Sequence, residues 1–166
     1  MTDLESSNRH EHAEATEHAG VPVPPPLIYA AGYLAGLALS RAMPLPRPPE
    51  RPSRPLGALL LTAGAALPAV GISLFQSRHT SVLPVRPSTA LVTSGPYRIT
   101  RNPMYVGFGL IHAGIALWRR ETWPLVMLAP ALLAVDRVVI RREEPYLARV
   151  FGAEYAAYRA RVRRWL

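Results

Sequence analysis

Charged residues in this chain come in clusters, separated by long runs that carry none. The longest run is Pro55 to Ser77, 23 residues, and its centre, Leu56 to Phe75, reads LGALLLTAGAALPAVGISLF. About 20 apolar residues rising 1.5 Å each cross the roughly 30 Å hydrocarbon core of a bilayer, so this segment predicts a membrane-spanning helix. Its Pro68 and its glycines suit that setting better than a water-soluble helix. Leu27 to Met43 is a second run, with Arg41 near its end, where a guanidinium can snorkel to headgroups. Gly32 and Gly36 give this run a small-xxx-small step on which another helix can pack. Asn102 to Trp118 is a third run, and Thr122 to Val135, extending past Asp136 and Arg137 to Ile140, is a fourth. Only Arg119, Arg120 and Glu121 part them, which predicts an antiparallel hairpin with Trp118 and Trp123 as interfacial anchors at its turn.

The remaining segments are polar or broken by proline. Residues 44–55, PLPRPPERPSRP, predict an extended loop. Residues 1–26 hold five acids, one arginine and His10, His12 and His18. They predict a disordered tail, and they lack the basic and apolar regions of a signal peptide. The three histidines are a candidate metal site within that tail; no metal is expected at the main site. After the hairpin, Leu147, Val150, Phe151, Tyr155, Tyr158 and Val162 recur at three- and four-residue steps, one stripe of an amphipathic helix. The expected fold is therefore all-α, an integral membrane bundle of about four transmembrane helices (27–43, 56–75, 104–118 and 122–140). A C-terminal amphipathic cytoplasmic helix is expected over 145–162.

Composition sharpens this picture. The 166 residues suffice for one domain; 49% are apolar and only 18% charged, below the roughly 25% of a soluble domain. The net charge is +8, and all 19 basic residues are arginine. This charge lies between uncharged runs rather than over a globular surface, so it points to a lipid bilayer as partner and not to nucleic acid. With four spans, twelve arginines fall on the side that holds both termini and six on the other. The positive-inside rule then places both termini in the cytoplasm, and the expected location is a bacterial inner (plasma) membrane. Cysteine is absent, which excludes a disulfide scaffold, a Cys-ligated zinc and a thiol nucleophile.

Candidate chemistry gathers at the cytoplasmic end of the hairpin. Hairpin geometry brings Arg98, Arg101, Asn102 and Tyr105, at the start of its first helix, beside Glu143 and Glu144 at the end of its second. Pro145 pushes Glu144 towards an extended conformation and so predicts a break there. Asp136, Ile140 and Glu143, at i, i+4 and i+7, predict that Asp136 looks toward the same place. Fixed guanidinium groups bind carboxylate or phosphate, paired carboxylates bind ammonium or ribose hydroxyls, and tyrosine faces favour a cation. A zwitterionic, ribose-bearing sulfonium would use all three, whereas lipid phosphates would satisfy the arginines alone. His112, mid-helix and on a similar face to Tyr105, reads as a neutral histidine hydrogen-bonded between helices rather than as a catalytic group.

The two-part pattern GPYR-x-x-RNPMY at 95–105 and REE-x-x-L-x-x-x-FG-x-x-Y-x-x-Y at 142–158 resembles the isoprenylcysteine carboxyl methyltransferases. The wider group includes the phospholipid methyltransferases, and the likeness covers roughly residues 80–166. The resemblance implies an integral membrane enzyme that binds S-adenosylmethionine at the cytoplasmic end of the hairpin. Carried over by motif, it implies cofactor binding by Tyr97, Arg98, Arg101, Asn102, Pro103, Tyr105, Glu143 and Glu144, with Arg98 and Glu144 as the catalytic pair. The family motif commonly reads Arg-His-Pro, and this chain has Asn102 in the histidine's place. Asparagine keeps hydrogen bonding and loses titration near neutral pH. The implied reaction is in-line methyl transfer to a lipophilic or amphiphilic acceptor, an isoprenylcysteine-like carboxylate or a lipid. An NADPH-dependent membrane reductase and a noncatalytic membrane subunit are the alternative readings.

Overall fold

The computed structural model describes residues 19–80 and 88–166. The tail's His10, His12 and His18, and Arg86 of the loop before the motif, lie outside the described residues. The rest is helical: α1 Pro25–Ala42, α2 Glu50–Ser77, a 3-10 turn Gly95–Arg98, α3 Pro103–Arg119, α4 Thr122–Ala134, a π-helical turn Val135–Ile140, and α5 Arg141–Arg161. Among the described residues no strand forms, and a lone bridge joins Thr100 to Arg163. Among the described residues two helices are long and apolar enough to cross a membrane, Glu50–Ser77 and the continuous stretch Thr122–Arg161.

The long apolar helices run up and down. Pro25 and Pro103 open α1 and α3, where a missing N–H costs nothing. Helix α2 lies antiparallel against α3 through glycines spaced seven apart. A Cβ added at Gly64 would sit 2.8 Å from the Gly107 carbonyl oxygen, and one at Gly57 would sit 2.8 Å from that of Gly114. The two backbones touch directly, as small residues permit where lipid removes the hydrophobic drive between helices. Helix α1 packs on α4 in the same manner: Gly32 faces Ala131, and Gly36 lies against the Pro124 backbone. The GYLAG step is thus used inside the bundle.

At one end the turn between α3 and α4 is closed by Arg120 in the left-handed region, φ 59°. The Pro-rich segment crosses this turn and is tied down by it. Trp123 Nε1 donates to the Met43 carbonyl, Thr122 Oγ1 to that of Pro46, and Arg120 Nε to that of Pro48. The extended loop is shorter than the sequence predicts, because α2 begins at Glu50. The first N–H groups of a helix have no partner to lose, so Pro52 sits in the first turn without penalty.

The other end carries two apolar clusters. Tyr29, Tyr105, Val135, Val139 and Ile140 gather between α1, α3 and the π turn, and Val92, Tyr97, Tyr155 and Tyr158 gather under α5. Two details differ from the sequence expectation. Glu144 is helical despite Pro145; the irregularity lies upstream in the π turn. A wide turn holds more residues, so the phase lags, and Glu144 rather than Glu143 shares a face with Asp136. The tail helix also starts at Arg141 and breaks at Gly152, φ 49° and ψ −121°. Val150, which the predicted stripe includes, is exposed.

Two stability outcomes follow from these contacts. Gly64→Leu forces a side chain into the α2–α3 seam and should cost about 1–3 kcal/mol by overpacking, read as a lowered thermal midpoint in detergent. Nothing lies within 4 Å of a Cβ built at Gly152. Gly152→Ala therefore tests conformation alone, and the same measurement should show a loss of about 1–3 kcal/mol from the strained backbone.

Candidate active site

The site lies where the start of α3 meets the start of α5. Gly95, φ 60°, turns the chain into the short 3-10 segment, which buries Tyr97 and leaves its neighbour Arg98 exposed. The Tyr97 carbonyl accepts a 2.7 Å bond from Tyr158 Oη, so α5 is latched to the motif. Burial raises the pKa of both phenols, which keeps them neutral. Pro103 is buried at the head of α3. One turn on, the Tyr105 carbonyl accepts from Tyr29 Oη at 2.9 Å.

The two neighbouring glutamates have different surroundings. Glu144, with its side chain nine-tenths buried, sits between two arginines. Arg101 Nη2 lies 3.0 Å from its Oε1; Arg164 brings Nε to 3.0 Å from Oε1 and Nη2 to 2.6 Å from Oε2. Glu143 Oε1 accepts a 2.6 Å bond from Tyr105 Oη, a neutral donor. Burial pushes the Glu143 carboxyl up to about 7, the neighbouring Glu144 charge adds to this, and the Tyr105 bond works against it.

A cleft enclosing about 870 Å³, its mouth included, opens among these groups. Tyr97, Arg101, Asn102, Tyr105, Glu143 and Glu144 all line it, with Phe75, Met104, Ile140 and Leu147 as apolar wall. Arg98 and Pro103 do not line it. Arg101 stands out on its wall: its guanidinium is nine-tenths buried, yet Nε and Nη1 have no partner. Two buried cationic donors without an acceptor are costly unless an anion meets them.

The segment after α5 closes the back of the site. Arg101 N donates to the Arg163 carbonyl, and Asn102 Nδ2 and Thr100 Oγ1 both donate to that of Arg164. Asn102 thus holds this segment in place as well as lining the cleft. Arg164 Nη1 and Trp165 Nε1 reach Asp136 Oδ1 at 3.2 and 3.3 Å. Sequence reasoning did not single out Arg164, because it follows the periodic stripe and matches no motif. Tyr155 and Tyr158, which also line the cleft, were signalled by their spacing. Away from the site, His112 Nε2 donates to the Pro124 carbonyl at 2.8 Å and links α3 to α4.

A stretch of this chain is 36% identical over 63 residues to an "Uncharacterized protein" of Haemophilus influenzae, covering 38% of this chain and all of that protein. Another is 38% identical over 73 residues to the cobalt-zinc-cadmium resistance protein CzcN of Cupriavidus metallidurans, covering 43% of this chain and 34% of that one. No solved structure matches. The phospholipid methyltransferase family matches residues 53–154, which takes in α2, α3, α4, the π turn and most of α5. With more than half of its length matched, the chain belongs to the phospholipid methyltransferase family.

Proposed function

We propose that this membrane protein is an S-adenosylmethionine-dependent methyltransferase acting on a lipophilic or amphiphilic acceptor. The observation that carries the reading is Arg101, with two unpartnered donors on a cleft wall that also presents Glu143, bonded to a neutral phenol. An amino-acid zwitterion fits such a pair, its carboxylate on Arg101 and its ammonium on Glu143. Neutral tyrosines on the same cleft offer faces to a sulfonium. When bound, the cofactor supplies a methyl group on a positively charged sulfur.

The chain's own residues do the rest. Arg101 fixes the carboxylate, and Glu143 fixes the ammonium or takes a proton from an amine or thiol acceptor. Glu144, held by two arginines, keeps Arg101 in position. Met104, Ile140 and Leu147 form a wall suited to the apolar part of an acceptor and exclude water from it. Arg98, exposed, is left for the membrane surface rather than the reaction.

In the bilayer, we infer four crossings, by α1, α2, α3 and α4 with the π turn. The first is short, and α3 at 17 residues spans about 25 Å. The site end faces the cytoplasm, where the arginines outnumber those at the other end and where a soluble cofactor enters. Helix α5 lies along that surface, and the acceptor enters sideways from the lipid.

Three measurements test the reading. Titration of detergent-purified protein with S-adenosylhomocysteine should show binding that Arg101→Ala weakens by at least about tenfold, since a charge-assisted pair is worth roughly 1.5–3 kcal/mol; equal affinity in the two proteins overturns the site. Ligand ammonium favours ionised Glu143, so affinity should rise on the order of tenfold between pH 5.5 and 7.5, and Glu143→Gln should flatten the rise. The free protein shows the opposite trend: a carboxyl whose folded pKa is raised to about 7 from 4.5 stabilises fully below pH 4.5 and loses that contribution as pH rises through about 7. Incubation of lipid extract with the enzyme and methyl-labelled donor should transfer one labelled methyl to a lipid-soluble product, absent with Arg101→Ala.

A further inference from the structure

Arg101 raises a question of charge competition. Its partner Glu144 is a buried carboxylate with two oxygens, and Arg101 uses a single nitrogen on one of them. Guanidinium and carboxylate ordinarily pair fork to fork, two parallel bonds at once. The second oxygen would draw another nitrogen of Arg101 onto itself if nothing else held it. Arg164 holds it: Nη2 lies 2.6 Å from Oε2, and Nε shares Oε1 at 3.0 Å.

The segment that delivers Arg164 is itself fixed. Its backbone is bonded to Thr100, Arg101 and Asn102, and its third guanidinium nitrogen rests on Asp136 of the π turn. The family match ends at residue 154, so this segment belongs to the part of the chain outside it.

We propose that Arg164 is a positioning residue: by saturating Glu144, it holds Arg101 to a single contact there and leaves a second donor of that guanidinium for the carboxylate of the bound ligand. Arg164 itself does not line the cleft. It acts through Glu144 on Arg101, and its removal turns a second donor of Arg101 onto the internal salt bridge. This rests on the reading of the cleft given under Proposed function.

The test compares S-adenosylhomocysteine with its decarboxylated analogue, which differs only in lacking the carboxylate. The wild type should prefer the carboxylate-bearing ligand by at least about tenfold. Arg164→Gln should lose most of that preference while binding the analogue as before. The double variant Glu144→Gln, Arg164→Gln should regain it, because a neutral amide no longer competes for Arg101. A merely structural role would weaken both ligands alike, and that result overturns the inference, as does an unchanged preference in Arg164→Gln or a double variant that recovers nothing. Should Arg164→Gln fail to fold, Arg164→Lys, which keeps the charge and loses the fork, must show a reduced preference for the inference to stand. A wild type that binds neither ligand overturns the proposed function first and this inference with it.

Discussion

The contact on which the rest depends is the backbone-to-backbone seam between α2 and α3. Lipid tails are as apolar as leucine, so two helices in such surroundings gain nothing by hiding apolar side chains from each other. They gain by approaching closely enough for many dispersion contacts, which requires that side chains be missing. Gly57 and Gly64 on α2 meet Gly114 and Gly107 on α3, and the shared seven-residue spacing lets one register satisfy both pairs. The next step along α2, Gly71, lies against Met104, and Tyr97 Oη is 3.5 Å from a Cβ placed there. The seam thus sets where the first turn of α3 stands, and the motif residues stand on that turn.

Electrostatics then divides the labour between two adjacent glutamates. Both leave water, and removing an ionised carboxylate from water is expensive unless cations or donors replace the solvent. For Glu144 two guanidinium groups do so, and the group is held in place within the wall. For Glu143 a single neutral phenol does so, and the group is left near the midpoint of its titration at neutral pH. Sequence neighbours are thereby given distinct roles, one holding an arginine and one able to respond to a ligand's charge or proton.

The helices were legible in the chain because a bilayer-sized run without charge has few other uses, and the hairpin because three polar residues leave no room for any other turn. Arg101, Asn102, Tyr105 and the two glutamates were legible as a group because a hairpin must bring its ends together, and Tyr97 only through the motif it belongs to. Three features were not. Periodicity predicts a regular phase, so it could not show the π turn that trades Glu143 for Glu144 opposite Asp136. A motif names residues without saying which way they face, and the 3-10 turn that buries Tyr97 sends Arg98 outward. The segment after α5 has no periodic pattern, because its bonds run through its backbone to Thr100, Arg101 and Asn102.

The all-arginine composition takes on a specific meaning at one position. Arg164 touches Glu144 with two nitrogens and Asp136 with the third, so one side chain bridges two carboxylates about two turns apart on the α4–α5 rod. A lysine ammonium is a compact point charge on a flexible stem and cannot hold a planar fork on one carboxylate while reaching another. The bridge also spans the π turn, the place where the rod departs from regular α geometry. Its far end is anchored through the Arg164 carbonyl to Asn102, the residue standing where the family motif has histidine. Asparagine can donate that bond at any pH, whereas an imidazole's two nitrogens exchange roles with tautomer and proton. Asn102 is therefore a permanent donor, and it stands in the same hydrogen-bonded frame as the segment that carries Arg164.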